Sequence, residues 1–509
     1  MRFRKSKSGL NFKFKYLYHL YIMTSVVSDN FIWERSPRAL DTSTSYRTKL
    51  SSESQTYHIG DLVRIAIPPQ RNGFLNCANT FLNVSVEGYI SGTGLGTSAA
   101  TRLRMSHIGI NSAFNQVNLI GPNGQYIQQQ QNYQAMYATN WAMNTSQDNQ
   151  WGQSLTDGSS PPLVQGYGDK LNTVQCPLVG PTSPAPSATL AYIADFRNPS
   201  GRCEYSVSLM GILSGTKHLP VCWFGSDCFV EIQLTNDLRD IYLTAETSAT
   251  LSNTTIASSD PLDFQFHLDC QFDVASDNSM REIQEHAGYG DGPVSWSDTQ
   301  TRCSSFSIPI AELNSRVGGV KSMVINGVRP RKLLSVVQAA FTPNSRGNRD
   351  AWECCNPYNT FQLRIGSELY PPREQEGFAQ MMTGALECYN QLAITAVSNR
   401  ITGKDTINNT GATRWGSSPR LTPSSDRTFV YEDPNRGAAG VNLANFPGLS
   451  DGLDTSELII QSLGDVTDKV VTDPVAYPQA AVDPYQVFTI KRFGVLYSVS
   501  EQGDFTVSY

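Results

Sequence analysis

The chain has 509 residues, enough for two to four domains, each able to bury its own core, and only 17% of them are charged, against about 25% in an average globular protein. A net charge of -6 excludes a polyanion-binding body, and no run of eighteen apolar residues marks a transmembrane helix. Ten cysteines, none in CxxC spacing, exclude the usual zinc modules and a disulfide framework, and read as free, mostly buried thiols made in a reducing compartment.

Residues 1–22 are basic and aromatic, with Arg2, Arg4, Lys5, Lys7, Lys13 and Lys15 crowded among Phe and Tyr. The apolar core and small-residue cleavage site of a secretory signal are missing. One reading is a flexible arm whose six cations touch nucleic acid or an inner surface; the other takes Met23 as the true start. Residues 1–50 are assigned to this arm and its lead-in.

From residue 51 to 275 the chain reads as a first domain of short strands. Val63, Ile65 and Ile67 alternate with Arg64 and Ala66 and stop at Pro68-Pro69, and Leu82, Val84 and Val86 alternate with polar neighbours. The glycine run Gly92-Thr93-Gly94-Leu95-Gly96 suits a hairpin loop better than a phosphate cradle. Phe114 to Met143 then gives a strand closed by Ile120-Gly121, a proline, and a helix with Tyr133, Met136, Tyr137 and Trp141 on one face. Residues 144–202 form a polar insertion too long for a simple connection. Strands follow at Tyr205–Leu209 and Val230–Leu234. In the cleanest one, Phe264, Phe266, Leu268, Cys270, Phe272 and Val274 point one way, and Gln265, His267, Asp269, Gln271 and Asp273 the other.

Residues 276–299, with a turn cluster at Gly288–Pro293, read as a linker, and 300–509 as a second domain. Phe306, Ile308 and Ile310 mark a strand that Pro309 places at a sheet edge. Val336–Phe341 follow. Next comes Phe361 to Tyr389: Phe361, Leu363 and Ile365 alternate with polar residues, Gly366 turns the chain, and Pro371 and Pro372 end the strand for want of amide donors. A helix with Phe378, Met381, Met382, Leu386 and Tyr389 on one face completes the unit. A second polar stretch occupies 398–440, and strands at Leu458–Leu463 and Phe488–Val499 close the domain.

A shift of 245 residues superposes Ile120-Gly121 on Ile365-Gly366, the two helix stripes on each other, and Gln55-Thr56 on Gln300-Thr301. A shift near half the chain length indicates one fold in two tandem copies. With about eight short strands, one helix and one large loop per half, the expected architecture is all-β: two tandem eight-stranded jelly rolls, each with a short helix and a long loop insertion. Gly121, Gly366, Pro371 and Pro372 are the expected fold-defining turns.

No HxH, HExxH, GxSxG or Walker pattern occurs among or around the six histidines, so no catalytic, cofactor or metal site is expected and no small-molecule substrate. The sequons at Asn83, Asn144, Asn253 and Asn408 are of the number that chance gives in so Ser/Thr/Asn-rich a chain.

The run Ile365-Gly366-Ser367-Glu368-Leu369-Tyr370-Pro371-Pro372 followed by a helix resembles the second roll of double jelly-roll major capsid proteins, above all those of polinton-like viruses and virophages. The first-half counterpart, Ile120-Gly121-Pro122-Asn123, departs from the Tyr-Pro-Pro form. The resemblance implies a homotrimer with a pseudo-hexagonal base, packed against neighbouring capsomers and penton or minor capsid proteins in an icosahedral virion of a double-stranded DNA virus assembled inside the host cell. It also implies that 144–202 and 398–440 form an outer tower, and that the basic arm lies inside in weak contact with the genome. The alternatives are a carbohydrate-binding or adhesin-like β-sandwich protein, against which the missing signal and lone cysteines count, and a jelly-roll enzyme such as a cupin, which lacks its ligand set.

Overall fold

The computed structural model describes residues 42–87, 102–144, 202–209, 218–245, 262–287, 293–308, 320–341, 360–389, 448–465, 485–500 and 502–509. It also describes short stretches at 89–90, 92–93, 156–159, 178–179, 255–256 and 438–446, and single residues at 352, 354, 356 and 358. The arm, nearly all of 144–202 and nearly all of 398–440 lie outside the described residues.

Roll 1 is built from β1 (Thr42–Ser51), β2 (Leu62–Ile67), β3 (Gly73–Asn76), β4 (Phe81–Glu87), β5 (Phe114–Ile120), β6 (Tyr126–Gln131), helix α1 (Tyr133–Asn144), β7 (Cys203–Val207), β8 (Cys228–Leu234) and β9 (Asp263–Ala275). Helix α2 (Asp277–Ala287) leads to roll 2: β10 (Val294–Ile308), β11 (Val320–Val324), β12 (Lys332–Phe341), β13 (Thr360–Ile365), β14 (Glu368–Glu376), α3 (Gly377–Cys388), β15 (Ala439–Asn442), β16 (Ile460–Asp465), β17 (Tyr485–Val499) and β18 (Phe505–Ser508).

The duplication expected from sequence is visible in the strand order. One sheet of roll 1 runs β1-β9-β4-β7 and its partner β2-β8-β5-β6; in roll 2 the sheets run β10-β17-β12-β15 and β11-β16-β13-β14, strand for strand the same. Strand β3 pairs β9 beyond the end of β4, and in roll 2 β18 pairs β17 beyond the end of β12. Both rolls are therefore two-sheet, eight-stranded jelly rolls. Each core is filled by the alternating apolar positions read from sequence: Val63, Ile65, Ile67, Val84, Val230, Phe264 and Leu268 in roll 1, and Phe361, Leu363, Ile365 and Met381 in roll 2, are all at most 1% exposed.

Several local expectations are corrected. Thr42–Ser51, assigned to the lead-in, is the edge strand β1, paired with β9 from His267 to Ala275. Its inward side is mostly Thr and Tyr rather than large aliphatics, and Tyr46 stacks on Phe272 with ring centroids 5.6 Å apart. The expected linker 276–299 contains α2, and β10 starts inside it at Val294. Strand β14 does not stop at its prolines. It is a sheet edge, where a missing amide leaves no bond unmade. The ladder skips register between Phe361 and Leu363, and Gln362 Nε2 donates to the carbonyl of Pro371 at 2.6 Å instead.

The 245-residue shift superposes the Ile-Gly pairs but not their faces. Ile365 points into the core, whereas Ile120 lies outside the core cluster and it is Val117 and Leu119 that face inward. A one-residue slip in a strand exchanges its two faces. Gln55-Thr56 falls between β1 and β2 while Gln300-Thr301 lies in the middle of β10, so that pair is not equivalent either.

Candidate assembly interface

In both rolls the strands on either side of the Ile-Gly turn form a hairpin followed by a helix: β5-β6-α1 and β13-β14-α3. Gly366 occupies the left-handed region at φ 63°, with its amide donating to the Ile459 carbonyl at 3.0 Å. An added Cβ would stand 3.0 Å from Leu458 Cδ2. Gly121 differs from expectation: its backbone is extended (φ -84°, ψ -175°), and the left-handed residues of that turn are Asn123 and Gly124, because the connection is longer. At Gly121 the constraint is space. A Cβ there would meet Ile127 Cγ1 at 3.0 Å and Phe505 Cδ1, from roll 2, at 3.2 Å.

That contact belongs to the junction between the rolls. The edge strand β6 of roll 1 lies against the edge strand β10 and the inner strand β17 of roll 2. Tyr497 Oη donates to the Ile127 carbonyl at 2.7 Å, and Gln300 Nε2 donates to the same carbonyl and to Tyr497 Oη. Asn123 Nδ2 donates to Asp504 Oδ1 at 2.8 Å, and the Gly225 amide to the Gly503 carbonyl at 3.3 Å. Phe224 of roll 1 packs edge-on to Phe505, which continues into Tyr497 and Trp296. The junction is thus an aromatic cluster with a polar seam and few charges, the composition of a permanent contact.

Among the described residues, the equivalent edges β1 and β14 pair with no further strand. On roll 1, β1 carries Tyr46 at 39% exposure, and β2, on the same flank, carries Leu62 at 50%. On roll 2, β14 carries Leu369 at 40%. Gly366, Pro371 and Pro372 belong to this free edge and Gly121 to the filled one.

The polar side of β9 is a hydrogen-bonded surface: Asp273 accepts from Ser45, Asn76 and His218 at 2.6–2.8 Å, and Asp269 from Asn83 at 2.6 Å. In roll 2 both faces of β17 are buried from Val487 to Lys491. There Lys491 Nζ donates to the carbonyls of Asn326 (2.9 Å) and Val328 (3.1 Å), and burial lowers its pKa to about 8. The described cysteines are mostly buried, and burial pushes the thiols of Cys77, Cys222 and Cys270 up to about 12. Among the described residues, no group of three or more His, Cys, Asp or Glu side chains converges on a point, and no helix is long and apolar enough to cross a membrane. Arg2, Arg4, Lys5, Lys7, Lys13 and Lys15 lie outside the described residues. Sequence reasoning missed β1, Gln300, Tyr497 and Phe505; for β1 the alternation of Thr44, Tyr46, Thr48 and Leu50 with Ser45, Arg47 and Lys49 carried the signal.

Two sheet sandwiches of one topology, joined edge to edge in a single chain, define a double jelly roll. The chain is similar over 94% of its length to a chain of the PBCV-1 virus capsid, at 9% identity, 99% coverage of that chain and a TM-score of 0.56. It is likewise similar to a chain of the Sputnik virophage, at 12% identity, 94% coverage of this chain, 91% of that one and a TM-score of 0.56. At these identities the likeness is one of fold: this protein has the double jelly-roll fold of viral major capsid proteins. No family model and no curated protein matches its sequence.

Proposed function

We propose that the chain is the major capsid protein of a double-stranded DNA virus and works as a homotrimer with a pseudo-hexagonal base, whose copies tile an icosahedral shell. The observation that carries this reading is the mismatch between used and unused edges. Inside the chain, the β6-α1 flank of roll 1 meets the β10 flank of roll 2. Because the rolls share one topology, the β14-α3 flank of roll 2 is the same kind of surface as the first, and the β1-β2 flank of roll 1 the same kind as the second. The contact that joins the rolls is head-to-tail, and such contacts close into rings when the rotation allows. Three chains of two rolls each give a ring of six, and every flank is then covered. The fold shared with capsid chains over nearly the whole length supports the same reading.

In this arrangement the Gly121 and Gly366 turns lie at one end of the ring, together with Thr42 at the start of β1. The chain leaves α1 and α3 for the insertions 144–202 and 398–440 at the opposite end. We assign the insertions to the outer surface and the basic arm to the inside, where it touches the genome weakly. The outer faces of the ring meet neighbouring capsomers and penton or minor capsid proteins of the virion, made and assembled in the host cell. Light scattering after size exclusion tests the reading. A species of 168 kDa, three times the 56.0 kDa chain, or a larger shell-like particle, is expected. A clean monomer would overturn it and favour a glycan-binding β-sandwich.

A further inference from the structure

One short piece of the 144–202 insertion is buried inside roll 1. Asp157 is 5% and Ser159 0% exposed. The Asp157 carbonyl accepts from the Ile110 amide and the Thr156 carbonyl from the Ser206 amide, both at 2.8 Å, so the plug Thr156–Ser159 is tied to the turn Gly109–Ala113 and to β7. Gly158 sits at φ 74° with Met105 and Tyr205 directly over it. The Asp157 carboxyl reaches further in: Oδ1 accepts from the Ser159 amide at 2.8 Å, and Oδ2 from Tyr137 Oη at 3.1 Å and Asn111 Nδ2 at 3.4 Å.

Among the described residues, its surroundings hold no cation. Helix α1 presents Tyr137 and Tyr133; β7 presents Cys203 and Tyr205, its Glu204 being turned outward to Arg202; the segment before the turn carries His107, whose ring lies against Trp141. Among the described residues no Lys, Arg or His forms an ion pair with Asp157. A buried carboxylate without a counter-charge is costly, and taking up a proton removes that cost. The Ser159 and Asn111 donors do not suit a metal ion, and the Tyr137 hydroxyl, which can accept as well as donate, is the partner to which a protonated Oδ2 gives its hydrogen.

We propose that Asp157 is a proton-operated latch: protonated, it seats the Thr156–Ser159 plug against Gly109–Ala113, α1 and β7; ionised, it loosens that seating. Burial raises the acid, while the bonds from Ser159 and Tyr137 pull it partly back. The seated state therefore holds the proton to a higher pH than the released state. Seating is firmest below the ordinary carboxylate pKa and weakens as pH rises through the elevated value.

Hydrogen exchange of the full chain tests this, read as protection of the Ile110, Ser159 and Ser206 amides between pH 4 and pH 9 after correction for intrinsic rates. Protection is expected to fall with pH, by up to about tenfold per unit at the steepest point, one proton being linked to opening. Tyr137→Phe removes a donor to the carboxylate and moves the fall to higher pH. Asp157→Asn flattens it. A flat wild-type profile would overturn the proposal, as would a fall that persists in Asp157→Asn. Recovery of protection at high pH on adding calcium or magnesium, in wild type alone, would overturn it in favour of a cation site. The readout lies within one roll and is independent of trimer formation.

Discussion

Tyr497 donates its hydroxyl to the main-chain carbonyl of Ile127 at 2.7 Å, tying the last long strand of roll 2 to an edge strand of roll 1 across 370 residues of sequence. Gln300 donates to the same carbonyl. Tyr497→Phe leaves that carbonyl one donor and is expected to cost about 1 kcal/mol in denaturant unfolding. Combining it with Gln300→Ala strands a buried acceptor and is expected to cost roughly 2–3 kcal/mol, more than the two single changes together. Strict additivity would show that the two donors do not share the carbonyl.

Gly366→Val denies the turn a left-handed conformation and crowds Leu458. It is expected to lose at least about 1–2 kcal/mol and most of the soluble trimer, whereas Gly366→Asn, which tolerates that backbone, retains both. Gly121→Ala acts only through crowding at Ile127 and Phe505, so its milder cost is relieved by Phe505→Leu. Normal trimers from Gly366→Val would refute the assignment of that turn.

The free flanks are tested by Leu369→Asp and by Leu62→Asp. Each places a charge where an exposed leucine is expected to be buried between chains, a loss of about 1.5–3 kcal/mol per contact. Light scattering should report monomers with an unchanged circular dichroism spectrum. Trimers of wild-type strength from both variants would place the contact elsewhere.

Deletion of residues 1–22 should leave the protein trimeric, its mass reduced only by the residues removed, since β1 and all its described pairings begin at Thr42. Loss of trimers would make the arm a structural element.

Lys491 supplies a pH signature. Its pKa is about 8 in the fold against an ordinary value of 10.5, so between those values the unfolded chain holds the extra proton. Stability then rises with pH by up to about 1.4 kcal/mol per unit from this group. Lys491→Met lacks this contribution, and its unfolding free energy should run flatter than wild type from pH 8 to 10. Parallel curves would mean that the ammonium is better solvated than its 2% exposure implies.

Alternation determined that the chain is all-β and where most inward-facing residues lie, and the 245-residue shift of the Ile-Gly pairs and helix stripes pointed to the same fold twice. The period of a half-buried strand is written residue by residue, and the side chains of β9 follow it from Phe264 to Phe272 with no exception. The resemblance carried by Ile365 to Pro372 pointed to the double jelly roll. Three things were settled only by tertiary structure. Whether Ile120 and Ile365 face the same way depended on ladder register, which a one-residue slip inverts without changing the motif. Whether Pro371 and Pro372 stop a strand depended on β14 being an edge, where a missing amide leaves no bond unmade. That Asp157 is buried, and that Tyr497 and Gln300 meet Ile127, depended on contacts between segments up to 370 residues apart. Local periodicity records the face a residue presents, and the partner on that face is chosen by the packing of the whole chain.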